Sequence, residues 1–174
     1  PSFTPITITT SADGANSVFA VDLDGDGDID VLSGSLNDDK IAWYENNGSQ
    51  SFTAHTITTS LNGPWSVYAM DVDLDGDVDI FSSHYWYSSM YIKWFENDGS
   101  QNFTERSIPT SLRPIVVYAK DIDSDGDVDF LSGGDISIGW YENNGSQSFT
   151  EHIITTGSQV AELIALDLDN DYDI

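Results

Sequence analysis

Short apolar runs separated by polar turns fill the chain, and the same order of runs recurs about every 50 residues. In the first unit the apolar runs cover residues 17–21, 29–33, 41–46 and 52–58. No 11-residue window keeps an apolar stripe at helical spacing. The Asn-Gly pair at 47–48, in which both residues tolerate a positive φ, is a strong hairpin signal. The pattern therefore predicts an all-β chain in which each unit contributes four strands, here called a, b, c and d.

Two motifs fix the length of the repeat. A run of alternating aspartates begins at residues 22, 71, 121 and 167, in steps of 49, 50 and 46 residues. A Trp-aromatic-Glu-Asn motif begins at Trp43, Trp94 and Trp140. A period near 50 with several short strands is typical of β-propellers and β-solenoids. We predict β-propeller-type repeats of four-stranded antiparallel blades, with 14 strands and about three and a half blades in this chain. The repeat units are 2–50, 51–101, 102–147 and an incomplete 148–174, and they form either a single repeat domain (1–174) or a fragment of a propeller.

The spacing of the motifs divides the predicted loops into two groups. The interval from the c-strand Trp to the d-strand Phe is nine residues in every unit, whereas the interval from the last aspartate to the Trp is 13, 15 and 11 residues. In an antiparallel blade the a–b and c–d loops lie at one face of the propeller, and the b–c and d–a loops lie at the other. The aspartate runs and Asn-Gly turns therefore form a fixed face. The b–c and d–a loops form a variable face, where we expect binding residues.

The aspartate runs predict metal sites. Each of three complete runs reads D-x-D-x-D-G-D-x-D, and five carboxylates in nine residues repel one another unless water or a cation screens them. Alternate residues of a tight loop can point at one ion, and Ca²⁺ binds six to eight oxygen atoms, mainly from carboxylates and carbonyls. We assign side-chain ligands to the first, third, fifth and ninth positions, a carbonyl ligand to the seventh, and a sharp turn to the glycine at the sixth. The side-chain positions are Asp22, Asp24, Asp26, Asp30, Asp71, Asp73, Asp75, Asp79, Asp121, Asp123, Asp125 and Asp129, and the carbonyl positions are Asp28, Asp77 and Asp127.

The fourth aspartate run departs from this pattern. It contains Asp167, Asp169, Asp171 and Asp173, but Tyr172 replaces the glycine and the ninth position is missing. A bulky residue is poor where a positive φ is needed. We therefore expect three complete calcium sites and a fourth that is incomplete.

Other metal sites fit the runs less well. An EF-hand needs a carboxylate at loop position 12 followed by a helix, but position 12 is Ser33, Ser82 or Ser132 and strand-like residues follow. Mg²⁺ prefers few protein ligands and several waters, and Zn²⁺ lacks its usual His and Cys ligands. A solvated acidic turn without an ion is the alternative interpretation.

The charge of the chain is strongly negative but local. The 174 residues contain 30 acidic and 5 basic side chains, for a net charge of -25, and 19 of the acids lie in the aspartate runs. Nucleic acids and anionic membranes need basic patches, so we expect neither as a partner. The absence of cysteine excludes disulfides. The sequence contains no apolar run of 18 residues, so we expect no membrane insertion. The start at Pro1 without a visible signal peptide suggests a processed or excised piece of a longer protein.

The repeated unit resembles a known family. A strand, an aspartate run and a second strand, followed by Trp-Tyr-Glu-Asn-Asn-Gly, are similar to the FG-GAP/VCBS repeats of integrin α-subunit propellers and many secreted bacterial proteins. The resemblance implies calcium sites between strands a and b, in propellers of six to eight blades. The Phe-Gly and Gly-Ala-Pro segments of the family are not present as such; Ser33-Gly34 and Ser132-Gly133 occupy their neighbourhood. The bacterial, secreted type is therefore favoured, with an extracellular or cell-surface location.

One aromatic cluster does not repeat. His84, Tyr85, Trp86 and Tyr87 fall in the second b–c loop, and Trp65 falls in the preceding d–a loop. These side chains are candidates for stacking on sugar rings or anchoring a protein partner, and the alternative is that they fill a gap against the next blade. The repeated Trp of the c strands reads as core between blades. The repeated Glu could supply the two carboxylates of a glycosidase, but a catalytic centre is usually a unique constellation and these are three copies of one position. We therefore expect no catalytic residues.

The sequence favours a non-enzymatic, extracellular calcium-binding propeller module for binding or adhesion, with calcium as a structural staple. Its partner would be a protein or a glycan on the variable face. One alternative is a structural subunit that self-associates through open blade edges into a surface sheath or fibre. Another is an accessory glycan-binding domain of a secreted carbohydrate-active enzyme.

Overall fold

The computed structural model describes residues 4–84, 90–134, 137–157 and 159–167. Within these ranges the chain forms twelve β-strands and no helix. The strands are β1 (Ala15–Val21), β2 (Asp30–Ser35), β3 (Lys40–Asn46), β4 (Phe52–Thr58), β5 (Pro64–Met70), β6 (Asp79–His84), β7 (Tyr91–Asn97), β8 (Phe103–Pro109), β9 (Val116–Lys120), β10 (Asp129–Gly133), β11 (Ser137–Asn143) and β12 (Phe149–Thr156).

The strands form three antiparallel sheets of four strands each, in the orders β1-β2-β3-β4, β5-β6-β7-β8 and β9-β10-β11-β12. Consecutive strands are neighbours throughout, so each sheet is a meander and corresponds to one blade. Trp43 pairs with His55, Trp94 with Arg106 and Trp140 with His152, which places the three blades in the same register. The predicted all-β fold with propeller-type blades is confirmed.

The second strand of each blade is the most deeply buried. All six residues of β6 and all five of β10 are buried, whereas the fourth strands, β4, β8 and β12, are largely exposed. A strand that is covered on both sides has no solvated face and so lacks the alternation of apolar and polar residues of a half-buried strand. In β6 the buried residues include Ser82, Ser83 and His84, so polar side chains share the covered faces with apolar ones.

The hydrophobic core lies between the blades. One cluster joins Leu32 and Trp43 of the first blade to Ile80 and Phe95 of the second. An equivalent cluster joins Phe81 and Trp94 of the second blade to Phe130 and Tyr141 of the third, and the rings of Phe81 and Phe130 are 4.4 Å apart. Burying each large apolar side chain contributes roughly 1.5–3 kcal/mol. The blades therefore stabilise one another through residues that lie about 50 positions apart in the chain.

The two loop faces are arranged as the spacing predicts. The a–b loop of the first blade meets its c–d turn, where Asp28 lies against Gly48. At the other end of the blade, the Asp39 carbonyl of the b–c loop accepts a hydrogen bond from the N–H of Leu61 in the d–a loop, at 3.3 Å.

The c–d turn of the first blade has the predicted bounds, but the positive φ expected at Asn47 is wrong. β3 ends at Asn46 and β4 begins at Phe52, and the positive φ values between them are at Gly48 (74°) and Gln50 (62°) rather than at Asn47. The Asn47 side chain instead accepts hydrogen bonds from the N–H groups of Ser49 and Ser51, at 3.0 and 3.3 Å. Such Asx hydrogen bonds favour a longer turn.

Two flanking strands of the 14 predicted are wrong. The described residues before β1 (4–14) and after β12 (159–167) include no strand. A β-strand needs a continuous ladder of hydrogen bonds with a neighbour, whereas the described part of each segment makes only isolated backbone hydrogen bonds. Each lies against a blade instead: Ile8 lines a hollow with Val31, and the Val160 N–H donates to the Gly134 carbonyl at 3.0 Å.

Candidate metal centres and blade-edge pockets

Each complete aspartate run is a tight loop between the first and second strands of its blade. In each loop, one oxygen atom from each of three carboxylates lies within 4.8 Å of the others. The groups are Asp22, Asp24 and Asp30; Asp71, Asp73 and Asp75; and Asp121, Asp123 and Asp129.

Backbone N–H groups of each loop donate hydrogen bonds to the first aspartate of the run, which holds the loop in a tight turn. The N–H of the sixth-position glycine donates to the first carboxylate in every blade: Gly27 to Asp22 at 3.0 Å, Gly76 to Asp71 at 3.0 Å, and Gly126 to Asp121 at 3.1 Å. These glycines have φ values of 95°, 100° and 99°, which only glycine adopts readily. The turn predicted at the sixth position is therefore confirmed.

The predicted side-chain ligands do not all belong to the close groups. Asp26, Asp79 and Asp125 lie outside the three groups named above. The carboxylates of Asp26 and Asp125 accept hydrogen bonds from the N–H groups of Asp28 and Asp127, at 2.8 and 2.9 Å. The ligand roles of the fifth and ninth positions therefore stay predictions. In the fourth run, Asp167 is described, whereas Asp169, Asp171 and Asp173 lie outside the described residues.

The ninth aspartate of each run is fully buried and doubly hydrogen-bonded. Asp30, Asp79 and Asp129 are each 0% exposed. Each accepts one backbone N–H from the start of its own loop and one from the asparagine that ends strand c. The distances are 3.1 and 2.7 Å for Asp30, 3.4 and 2.8 Å for Asp79, and 3.1 and 2.8 Å for Asp129.

Burial disfavours the ionised form of the carboxylates in these loops. Desolvation raises the pKa of Asp79 to about 7, against the opposing hydrogen bond from the Asn97 N–H. Desolvation is also the main cause that raises the pKa of Asp24, Asp73 and Asp123, and neighbouring aspartates add to it. A cation in the loop would favour the ionised carboxylates.

Two carboxylate oxygens inside the close groups lack any partner. Asp71 Oδ1 and Asp121 Oδ1 are buried and accept no hydrogen bond from the described residues. A buried polar atom without a partner costs roughly 1–3 kcal/mol, and more when it is charged. An all-oxygen donor set with unsatisfied buried carboxylate oxygens fits a hard divalent cation such as Ca²⁺.

The Trp-aromatic-Glu-Asn motif forms a stack on the outer strands of each blade. The ring of His55 lies 4.5 Å from that of Trp43, and its Nε2 is 2.7 Å from Glu45 Oε2. His152 repeats the stack on Trp140, at 4.7 Å, and the contact with Glu142, at 2.6 Å. In the second blade Arg106 takes the place of the histidine, over Trp94 and beside Glu96. The repeated glutamates therefore have structural partners.

Two hollows open beside these stacks, at equivalent positions between neighbouring blades. The hollow between the first two blades measures about 580 Å³, and its lining includes Trp43, Glu45, His55 and Gln101. The hollow between the second and third blades measures about 430 Å³, with Trp94, Arg106 and Gln147 in its lining. Gln101 and Gln147 have positive φ values of 55° and 53°, an uncommon conformation for a residue with a side chain. We call these hollows the blade-edge pockets.

Sequence reasoning missed the blade-edge pockets. Each is built from strands c and d of one blade and the c–d turn of the next, so its residues lie far apart in the chain. The Ser-Gln that follows the Asn-Gly or Asp-Gly pair of each c–d turn, at 49–50, 100–101 and 146–147, is the sequence signal that marks one wall.

The predicted aromatic ligand site is only partly described, and two of its placements were wrong. His84 is the last residue of β6 and is 1% exposed, rather than lying in an exposed loop. Trp65 is a half-buried residue of β5, at a bulge in the pairing with β6, and its carbonyl accepts a hydrogen bond from Asn16 Nδ2 at 2.8 Å. A bulge extends the strand past the predicted loop boundary and re-aims its residue. Tyr85, Trp86 and Tyr87 lie outside the described residues.

His84 borders a small hollow on the variable face. The hollow measures about 100 Å³ and is also lined by Tyr91, Lys93 and Glu105. Burial, together with the charge of Lys93, lowers the pKa of His84 to about 4, so its ring is neutral near pH 7. Neither ring nitrogen has a hydrogen-bond partner in the described chain.

Comparison with known proteins agrees with this geometry. A family described as FG-GAP-like repeat matches residues 22–82, 71–132 and 121–173. The chain belongs to the FG-GAP-like repeat family. The three matches begin at Asp22, Asp71 and Asp121, the first aspartates of the three complete runs, so the family repeat has the period seen in the blades. FG-GAP-like repeats are typically extracellular.

A solved structure shares the fold. It describes the specific recognition of non-reducing terminal N-acetylglucosamine by a lectin from Agrocybe aegerita, and it matches with a TM-score of 0.56 and 18% sequence identity. The match covers 80% of this FG-GAP-like chain and 39% of the lectin chain, so the chain spans well under half of that protein. No curated protein matches the sequence significantly. In the described ranges, no helix has the length and apolar character needed to cross a bilayer.

Proposed function

We propose that this FG-GAP-like chain is a calcium-stabilised β-propeller module of a secreted or cell-surface protein, and that it serves binding or adhesion. The observation that carries the proposal is the pair of unpartnered buried oxygens, Asp71 Oδ1 and Asp121 Oδ1, inside close groups of three carboxylates. The same loop recurs in register in all three blades.

The residues that would hold the ion are the three members of each close group. A bound Ca²⁺ supplies positive charge that offsets carboxylate repulsion and the cost of burial. A ligand that binds only the folded chain, at 100 times its Kd, stabilises it by about 2.7 kcal/mol per site. Extracellular calcium modules commonly bind in the range of about 10⁻⁴–10⁻³ M.

Calorimetric titration of the chelated protein with Ca²⁺ tests the proposal, with Mg²⁺ as the comparison ion. We expect saturable Ca²⁺ binding at three sites and a higher melting temperature in Ca²⁺ than in chelator. Asp73→Asn should remove one site. Its matched control is Asp98→Asn, which makes the same change in the nearby c–d turn, where the other two blades already have asparagine.

Two results would contradict calcium stabilisation. One is a melting transition that is identical in excess chelator and in Ca²⁺. The other is an equal loss of binding in Asp73→Asn and Asp98→Asn, which would indicate general acidity rather than a defined site.

A second candidate function is glycan binding at the blade-edge pockets. It is supported by the solved lectin of the same fold and by pocket linings that combine an indole with Glu45, His55 and Gln101. Sugar hydroxyls pair well with carboxylate, imidazole and amide groups, and sugar rings pack on aromatic side chains.

Titration with N-acetylglucosamine and a glycan array tests this candidate. Gln101→Ala and Gln147→Ala should each weaken binding at one pocket. Gln50→Ala is the matched control, because Gln50 has the same turn position and a positive φ of 62° but lines neither pocket. Wild-type protein that binds no glycan on the array, or an equal effect of all three variants, would contradict glycan binding at these pockets.

A further inference from the structure

We propose that the asparagine at the end of each third strand positions the metal loop of its own blade, so that the c–d turn is part of the cation site. These residues are Asn46, Asn97 and Asn143. The inference rests on the cation binding proposed above, and it adds residues outside the aspartate runs.

The first link runs through the asparagine backbone. Its N–H donates to the buried ninth aspartate, from Asn46 to Asp30 at 2.7 Å and from Asn97 to Asp79 at 2.8 Å. The other carboxylate oxygen accepts the N–H of the second residue of the run, such as Leu23 at 3.1 Å. The ninth aspartate therefore ties the start of the loop to the end of strand c.

The second link runs through the asparagine side chain. Asn97 Nδ2 donates to the carbonyl of Val78, the eighth residue of the run, at 3.2 Å. Asn97 Oδ1 accepts the N–H groups of Gly99 and Gln101 in the c–d turn, at 3.2 and 3.1 Å.

The other blades repeat the second link. Asn46 donates to the carbonyl of Ile29 at 3.0 Å and accepts from Gln50 at 3.2 Å. Asn143 donates to the carbonyl of Val128 at 3.1 Å and accepts from Gly145 at 3.2 Å. The asparagine amide carries a donor nitrogen and an acceptor oxygen on separate atoms, so one side chain bonds the loop and the turn at once, in all three motifs.

The third link is a close approach between the loop and the turn. A Cβ atom on Gly48 would lie 2.5 Å from Asp28 Oδ2, and the equivalent distances are 2.5 Å between Gly99 and Asp77 and 2.6 Å for the third blade. The seventh aspartate therefore rests on the bare glycine of the turn. The turn touches the seventh residue directly and holds the eighth and ninth through asparagine.

Three consecutive loop residues are thus fixed by the turn. The ninth residue is a member of the close carboxylate group in the first and third blades, and in the second blade Asp79 reaches that group through the N–H of Val72, which lies between Asp71 and Asp73. A shift of the turn therefore displaces the carboxylate group. Outer-shell partners of metal ligands commonly alter metal affinity by about 10–100-fold when they are replaced. By linkage, the cation stabilises the turn as much as the turn stabilises the bound cation.

The test uses Asn97→Ala in the whole chain, with Asn102→Ala as the matched control. Asn102 lies in the same turn, is exposed, and bonds Asp98 through its side chain. We expect Asn97→Ala to weaken Ca²⁺ at one of three sites by about tenfold or more. It should also reduce the calcium-induced rise in melting temperature, while Asn102→Ala changes neither.

The outcomes separate this inference from the proposed function. If wild-type protein binds no Ca²⁺, both fail. If wild-type protein binds Ca²⁺ and Asn97→Ala lowers the melting temperature equally in chelator and Ca²⁺ with unchanged affinity, the asparagine is only structural and the positioning role is overturned.

A second pair of variants covers the case in which Asn97→Ala does not fold. Gly99→Ala should weaken one calcium site, because its Cβ would meet Asp77. Gly157→Ala is its control, since Gly157 has a φ of 95° but nothing within 4 Å of a built Cβ. Equal calcium affinity in these two variants would overturn the inference.

Discussion

The fixed face and the variable face of the blades differ in how regularly their polar contacts recur from one blade to the next. On the fixed face, the same hydrogen bonds recur in all three blades, from glycine to the first aspartate and from asparagine to the ninth. On the variable face, some contacts recur and others differ from blade to blade. The N–H of Ser11 donates to Thr9 Oγ1 at 3.1 Å, and the N–H of Ser60 repeats this bond to Thr58 Oγ1 at 3.2 Å. In contrast, Lys40 Nζ donates to the carbonyl of Ser11 at 2.6 Å in the first blade, whereas the Thr110 N–H donates to the carbonyl of Met90 at 2.9 Å in the second. The hydrogen bonds of the aspartate loops are therefore common to all three blades, while the variable face also carries contacts that are specific to one blade.

The largest expected effect comes from removing a buried aspartate of the fixed face. Asp129→Ala leaves the half-buried N–H of Ile122 and the buried N–H of Asn143 without their acceptor, and a buried polar group without a partner costs roughly 1–3 kcal/mol. We expect a loss of about 2–5 kcal/mol in the free energy of unfolding, measured by urea denaturation in chelator. The exposed Glu162→Ala is the control. A change below about 0.5 kcal/mol in Asp129→Ala, the usual range for surface substitutions, would show that the two hydrogen bonds to Asp129 do not stabilise the fold.

The next effect is a pH dependence that belongs to the variable face. His84 has a folded pKa of about 4 and an unfolded pKa near 6.5, and it faces Lys93 and Glu105. Between these values the unfolded chain binds more protons, so stability is complete above about pH 6.5 and falls as the pH drops toward 4.

The His84 contribution is up to about 3 kcal/mol. Urea midpoints of wild type and His84→Gln at pH 7.5 and 4.5 isolate it, because carboxylate titrations are common to both proteins. The wild type should lose more stability than the variant across this interval. Parallel losses would contradict a neutral buried His84.

A smaller effect separates backbone strain from contact on the fixed face. Gly48→Ala and Gly157→Ala both place a side chain at positive φ, which costs roughly 1–2 kcal/mol. Only Gly48→Ala adds a clash, with Asp28. We expect its loss of unfolding free energy to exceed that of Gly157→Ala by about 1 kcal/mol or more, since overpacking costs roughly 1–3 kcal/mol. Equal losses would mean that the turn moves away without cost.

The smallest effect tests whether the blades are interchangeable on the fixed face. Asn47→Asp installs the residue that the second blade has as Asp98, and both side chains accept N–H groups from the same turn positions. Thermal denaturation should show a change within about 0.5 kcal/mol. A larger loss would show that the first blade has become specialised.

The fixed face could be predicted from the sequence because its geometry is local. The nine-residue runs and the constant Trp-to-Phe interval fix the loop and the turn, and the antiparallel meander brings them together at one face. The strand predicted at 52–58 coincides with β4 (Phe52–Thr58), while β1 and β2 differ from their predictions by one or two residues at their ends.

Other features depend on long-range contacts, and the sequence could not specify them. His84 was expected in the b–c loop, but it ends β6, and its burial is set by strand pairing with Pro64 and packing against Tyr91. The blade-edge pockets need two blades, so a single repeat does not reveal them. The two flanking segments have the strand pattern, but their described residues make only isolated backbone hydrogen bonds and no continuous ladder with a neighbouring strand.

The hydrogen bonds that Asp30, Asp79 and Asp129 accept from the start of their loops and from the end of strand c have a consequence for protein engineering. Every bond that anchors an aspartate loop points toward one end of its blade, while the b–c connections leave from the far end. Foreign peptides grafted into those far connections would sit well away from the anchors. A set of such grafts could be screened in the same protein, with a different peptide in the b–c connection of each blade.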